Sequence, residues 1–119
     1  MQKVNLADTF AAFDERWRPK IVTELNDSYV KVVKLEGEFV WHHHDEEDEL
    51  FLVVSGRLRM KLRDGDVVLE PGELLVVPRG VEHCPVAEGE THVVLVEPTT
   101  VVNTGNVRNE RTVEELERI

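Results

Sequence analysis

The stretch that decides the fold runs from Gly37 to Gly56 and reads GEFVWHHHDEEDELFLVVSG. Three histidines, His42, His43 and His44, are followed by five acids and then by a run of β-formers. On an extended backbone successive side chains point to opposite faces. A strand over 39–44 therefore places His42 and His44 on one face and turns His43 to the other, against a neighbouring layer or a partner chain. Two neutral imidazoles side by side, with a carboxylate a few residues on, suit a divalent first-row metal. They make half of a site.

Outward from this stretch the chain reads as short strands. Segments 21–25 and 29–35 flank the turn pair Asn26-Asp27, and Glu49–Ser55 ends at Gly56. Arg57, Leu58, Arg59, Met60, Lys61, Leu62 and Arg63 alternate, so a basic solvated face is expected opposite an apolar one. Asp64-Gly65 closes a hairpin onto 66–70. Pro71-Gly72 turns again, Leu74–Val77 is a buried run, and 81–86 and 92–96 complete the set. Short strands punctuated by Gly and Pro indicate an all-β sandwich or barrel. Before them, Leu6, Phe10, Phe13 and Trp17 recur at helical spacing, which predicts an amphipathic helix over 6–16 stopped by Pro19. After them, Thr112 to Glu115 has the spacing of a capping box and predicts a short C-terminal helix.

The other half of the site is sought among the remaining histidines. His83 ends the run Gly72-Glu73-Leu74-Leu75-Val76-Val77-Pro78-Arg79-Gly80-Val81-Glu82-His83, where a Pro-Gly turn delivers it to the start of a strand. His92 lacks such a setting and is read as a structural or surface residue, and Cys84, next to His83, alternates away from it. Burying His42, His44 and His83 together without a cation would leave several polar nitrogens to satisfy.

Gly37, His42, His44, Glu49 and Gly56 resemble the first motif of the cupin superfamily, and Gly72, Pro78, Gly80 and His83 resemble the second. The motifs are also similar to those of the small mannose-6-phosphate isomerase-like cupins. Two departures stand out: four residues rather than the usual five separate Gly37 from His42, and Ala87 replaces an asparagine often found after the second-motif histidine. The resemblance implies a double-stranded β-helix, or jelly-roll barrel, over about 20–98, between the helix at 6–16 and a tail at 99–119. It also implies that His42, His44, Glu49 and His83 bind one divalent transition metal: Fe, Mn, Ni, Zn or Cu. Glu49 heads its strand on the face of Phe51 and Val53 and stands at the motif's distance from Gly56. Glu47 is the alternative carboxylate. Phe51, Val53 and Met60 are expected to line the pocket.

The 119 residues suit one domain, and a chain of this size can bury roughly two-thirds of its unfolded surface. The net charge of −10, from 14 Lys plus Arg against 24 Asp plus Glu, speaks against nucleic-acid binding. The start has no apolar core of signal-peptide length and no segment is long enough to span a bilayer, so a cytoplasmic, non-membrane protein is expected. The lone Cys84 excludes a disulfide framework. No phosphate loop, dinucleotide fingerprint or nucleophile in a recognisable setting is present. The resemblance then implies a metal-dependent dioxygenase or isomerase acting on a small oxygen-rich molecule, or a non-catalytic module binding metal or a small ligand. It also implies a homodimer, with Trp41, His43 or the helix stripe near Trp17 at the interface.

Overall fold

In the computed structural model, which describes all 119 residues, one helix precedes eight strands. They are α1 (Leu6–Ala11), β1 (Lys20–Leu25), β2 (Ser28–Glu38), β3 (Glu49–Ser55), β4 (Leu58–Leu62), β5 (Val67–Leu69), β6 (Leu74–Val77), β7 (His83–Pro98) and β8 (Glu117–Arg118). The sheet runs β5-β4-β7-β2-β1-β8, with β3 joined to β7 and β6.

β7 is the spine. One of its edges pairs with β2 from Ser28↔Pro98 to Glu38↔Val86. Its other edge is shared: the first half pairs with β4, from Leu62↔His83 to Leu58↔Ala87, and the second half with β3, from Val53↔Val93 to Leu50↔Val96. One strand with two successive partners on the same edge must bend between them, and that bend closes the sheet into a barrel. The chain passes from β3 to β4 beside the bend through Gly56. Here φ is +88°, and a Cβ would lie 2.6 Å from Thr91 Oγ1 and 2.7 Å from the Glu90 carbonyl oxygen, so only glycine fits.

Both faces of the β2/β7 pair are covered. Inward, Val33, Leu35 and Leu95 join Phe51, Val53 and Met60 in the main core. Outward, Val32 and Val94 pack against Phe10 and Phe13. The near-continuous burial from Val32 to Leu35 follows from this two-sided cover rather than from a half-solvated face.

Four sequence expectations are corrected. The N-terminal helix stops at Ala11 rather than at residue 16. Phe13 and Trp17 still pack inward, but from irregular chain, and Trp17 takes a left-handed φ of +62° that no α-helix accommodates. Residues 39–44 do not form a strand: β2 ends at Glu38, and His42 meets the sheet only through an isolated bridge to His83. The segments 81–86 and 92–96 belong to one continuous strand, β7. The C-terminal helix is absent. The Thr112 hydroxyl bonds Thr104 Oγ1 at 2.7 Å and accepts from the Asn109 N–H at 3.0 Å, and residues 117–118 lie parallel to β1 as β8. With its capping oxygen engaged elsewhere, the box does not start a helix.

Candidate metal centre

His42, His44, Glu49 and His83 converge inside the barrel, all buried, with one donor atom from each within 4.8 Å of the others. Glu49 and His83 are the first residues of β3 and β7, and the inward alternation of β3 carries Glu49 to the same side as Phe51 and Val53. His42 is locked to His83 by reciprocal backbone bonds, His42 N–H to His83 O at 3.0 Å and His83 N–H to His42 O at 2.9 Å. The Pro78–Gly80 turn is tied back to the histidine run by the Gly80 N–H donating to His44 O at 2.8 Å. Alternation thus survives without a regular strand: His42 and His44 are buried, whereas His43 turns outward to Asp45 at 2.9 Å.

The ring orientations are set from behind. His42 Nδ1 lies 2.9 Å from Val40 O and His83 Nδ1 2.9 Å from Val81 O. An Nδ1–H donated to a carbonyl leaves the Nε2 lone pair free for a cation. Glu49 Oε1 stands 3.4 Å from His44 Nε2 and 3.6 Å from His83 Nε2, and all three atoms are buried with no hydrogen-bond partner. Orphaned buried donors and acceptors cost on the order of 1–3 kcal/mol each. A cation at their common focus satisfies all of them, so the residues fit a metal ion.

The acids beside the histidines divide clearly. Glu47 Oε2 accepts from the Thr100 hydroxyl at 2.6 Å, and Asp48 is held by the Arg79 backbone N–H at 2.9 Å and its guanidinium at 3.2 Å. Glu49 therefore stands with the imidazoles and Glu47 does not. Burial, and then the adjacent His83 ring, push His42 down to about 4, so it is neutral at physiological pH. Burial alone would raise Glu49, but Glu97, His44 and His83 outweigh it and hold the carboxyl well below its usual range.

Glu97 was not anticipated. Continuing the Leu50↔Val96 register by one residue sets it across from Glu49, on the inward face of Val93 and Leu95. Lys31 Nζ reaches its Oε1 at 2.7 Å, and both side chains are almost fully buried. Burial and the Glu49 charge drive the Glu97 carboxyl well above its usual range, so of the two facing acids Glu97 retains the proton. The alternation of Val93, Leu95 and Glu97 was the signal available in the sequence.

A small cavity of about 40 Å³ opens beside the site, its walls including Trp17, Phe39, His42, Glu49, Phe51 and Glu97. Phe51 lines it. Val53 and Met60 do not: both are fully buried in the main core, away from the cavity surface. Trp17 is brought to the cavity by its backbone N–H donating to Lys34 O at 2.8 Å and its Nε1–H to Glu36 O at 2.9 Å, and its ring stacks on Phe39 at 4.7 Å. The C-terminal tail closes over the histidine run. Asn106 N–H donates to His43 O at 3.1 Å, the His43 N–H donates to Asn106 Oδ1 at 2.9 Å, and Asn103 lines the cavity.

A profile of the cupin domain matches residues 29–103, well over half of the chain. The chain belongs to the cupin family. Among solved structures, this cupin is similar to a cupin-2 domain containing protein from Shewanella frigidimarina, with 44% identity and a TM-score of 0.79 over 80% of this chain and 93% of that one. Among curated proteins it is similar to the uncharacterised protein YdbB of Bacillus subtilis, 38% identical over 52% of this chain and 56% of that protein. It is also similar to the acireductone dioxygenase of Bacillus licheniformis, 32% identical over 80% of this chain. The cupin spans 56% and 59% of the lengths of these two curated relatives. The buried His/Glu cluster suits a metal ion, and the one helix is not long and apolar enough to cross a membrane.

Proposed function

We propose that His42, His44, Glu49 and His83 hold one divalent transition metal (Fe, Mn, Ni, Zn or Cu) and that this cupin is a metal-dependent enzyme of dioxygenase type. Its substrate is a small oxygen-rich molecule. The observation that carries the reading is the convergence of three buried, unpartnered donor atoms, His44 Nε2, His83 Nε2 and Glu49 Oε1. Similarity to an acireductone dioxygenase supports the reaction class.

Three neutral imidazoles and one carboxylate carry a single negative charge, so a divalent ion leaves the site net positive and attractive to substrate oxygens. When bound there, such an ion supplies Lewis acidity and open positions for chelation. The protein does the rest. Val40 O and Val81 O aim two imidazoles, Glu49 stays ionised, and Glu97, steadied by Lys31, holds a proton beside it. Trp17, Phe39 and Phe51 give the cavity apolar walls that exclude water.

The test begins with the metal content of protein purified without added metal. His83→Ala should lose most of the bound metal while its far-UV circular dichroism stays that of a β-protein; unchanged stoichiometry sinks the site. Turnover is then sought on diketones, thiols and sugar phosphates with each metal restored. Aldose–ketose interconversion without oxygen uptake would move the assignment to an isomerase. Stoichiometric metal with no turnover would make the chain a binding module. We further place it in the cytoplasm, in keeping with its single free, buried Cys84, as one domain that forms a homodimer and binds no nucleic acid.

A further inference from the structure

The chain holds nine arginines, and eight of them (Arg16, Arg18, Arg57, Arg59, Arg63, Arg79, Arg108 and Arg118) pair with an Asp or Glu. With 24 acids available, pairing is the default. Arg111 is the exception. Its neighbour Glu110 makes no ion pair with it, and its guanidinium meets no carboxylate anywhere in the chain.

Arg111 is placed, not adrift. Its backbone N–H donates to Asn109 Oδ1 at 2.8 Å, and its carbonyl accepts from Asn103 Nδ2 at 2.7 Å. Asn103 is itself a wall of the cavity. The guanidinium carbon lies 5.2 Å from the Trp17 ring centre and 5.8 Å from that of Phe39, while the two rings are 4.7 Å apart. Those three separations form a nearly equilateral triangle, so the cation sits at the shared rim of the stack rather than over an outer face. Both rings line the cavity, and the Phe39 ring is in turn 5.4 Å from that of His42. A half-buried guanidinium without an anion thus stands one aromatic ring away from the metal centre.

We propose that Arg111 binds the carboxylate of a short organic acid whose oxygen-bearing other end reaches the His42, His44, Glu49 and His83 centre. This names the substrate class and rests on the metal-centre reading above. The planar fork of guanidinium matches a carboxylate with two parallel hydrogen bonds, and the aromatic rim lowers the local dielectric and strengthens them. The buried Glu97 does not oppose an incoming anion, because the Lys31 ammonium stands 2.7 Å from its carboxyl.

The experiment titrates malonate, succinate, succinamide and inorganic phosphate calorimetrically into wild type, Arg111→Gln and Arg111→Lys, each metal-free and loaded with Mn(II). At least one acid should bind wild type, its affinity should fall about tenfold or more in Arg111→Gln, and succinamide should bind at least as weakly. Arg111→Lys keeps the charge without the fork and should fall between. Metal content and melting temperature should match wild type in both variants, as a mere cation–π staple of the tail would not predict for Arg111→Gln. If Arg111→Gln fails to fold, Arg111→Lys and the acid-against-amide comparison on wild type decide alone. Affinities equal within about twofold between wild type and Arg111→Gln, no acid binding at all, or phosphate bound more tightly than every acid would overturn the proposal. Arg111-dependent acid binding in a protein that takes up no metal upholds the subsite and refutes the metal reading. Normal metal uptake with acid binding indifferent to Arg111 does the reverse.

Discussion

Gly105→Ala tests how tightly the tail is moulded to the histidine run. A Cβ at Gly105 would lie 2.2 Å from the His43 carbonyl oxygen, 3.0 Å from its carbonyl carbon and 3.1 Å from His42 Cδ2. Backbone cannot swing aside as a flexible side chain can, so the tail must lift. The left-handed φ of +55° adds about 1 kcal/mol for any residue with a Cβ. Lifting also weakens the two bonds between His43 and Asn106, at about 1 kcal/mol each. The total is about 3 kcal/mol, or a fall in melting temperature of roughly 10 °C for a domain of this size. Because the same Cβ presses on the His42 ring, metal affinity should drop by about tenfold or more, as when a group that orients a ligand is lost. Thermal unfolding by circular dichroism and metal titration read the two effects separately. Gly89→Ala, where no atom lies within 4 Å of the added Cβ, is the control and should change neither. A melting temperature for Gly105→Ala within about 2 °C of wild type, with unaltered metal affinity, would refute the reasoning.

Two further outcomes are expected. Glu97→Leu leaves the buried Lys31 ammonium without the carboxyl oxygen that accepts from it at 2.7 Å and should cost about 1.5–3 kcal/mol in urea unfolding, whereas Lys31→Met with Glu97→Leu should recover most of it; a single-variant loss below about 0.5 kcal/mol would contradict that buried bond. The helix stripe and Trp17 are consumed by the chain's own core, and Trp41 carries the Arg63 guanidinium at 3.8 Å. The homodimer is therefore expected through β6, which pairs only with β3 and exposes Leu74 and Val76; a monomer by light scattering at micromolar concentration would exclude it.

Much of the site was legible because its information is local. The side-chain period of an extended chain separated His43 from His42 and His44. The spacing from Glu49 to Gly56 favoured Glu49 with Glu47 as the alternative, which the structure resolved by engaging Glu47 with Thr100, and the Pro78–Gly80 turn marked His83. The alternating 57–63 segment read as a solvated basic face, and its four cations are indeed ion-paired at the surface. The N-terminal helix was carried five residues too far and the C-terminal helix was expected where none forms, each for a physical reason. Apolar spacing at Phe13 and Trp17 records that these residues are buried, not that the backbone between them is helical, and the Thr112 hydroxyl prefers a partner eight residues back, which no short window contains.

The sequence by itself determined an all-β fold, because strand alternation and glycine-marked turns act over a few residues, and its resemblance to the cupin motifs implied His42, His44, His83 and either Glu49 or Glu47 at the centre. Only the tertiary structure decided what surrounds them. Glu97 faces Glu49 through the register of two strands far apart in the chain, and Lys31 reaches Glu97 from a third. Trp17 and Arg111, from opposite ends of the chain, meet at one rim because the barrel brings both ends to the same opening. Such neighbours are set by long-range pairing and closure, which no local pattern of residues encodes.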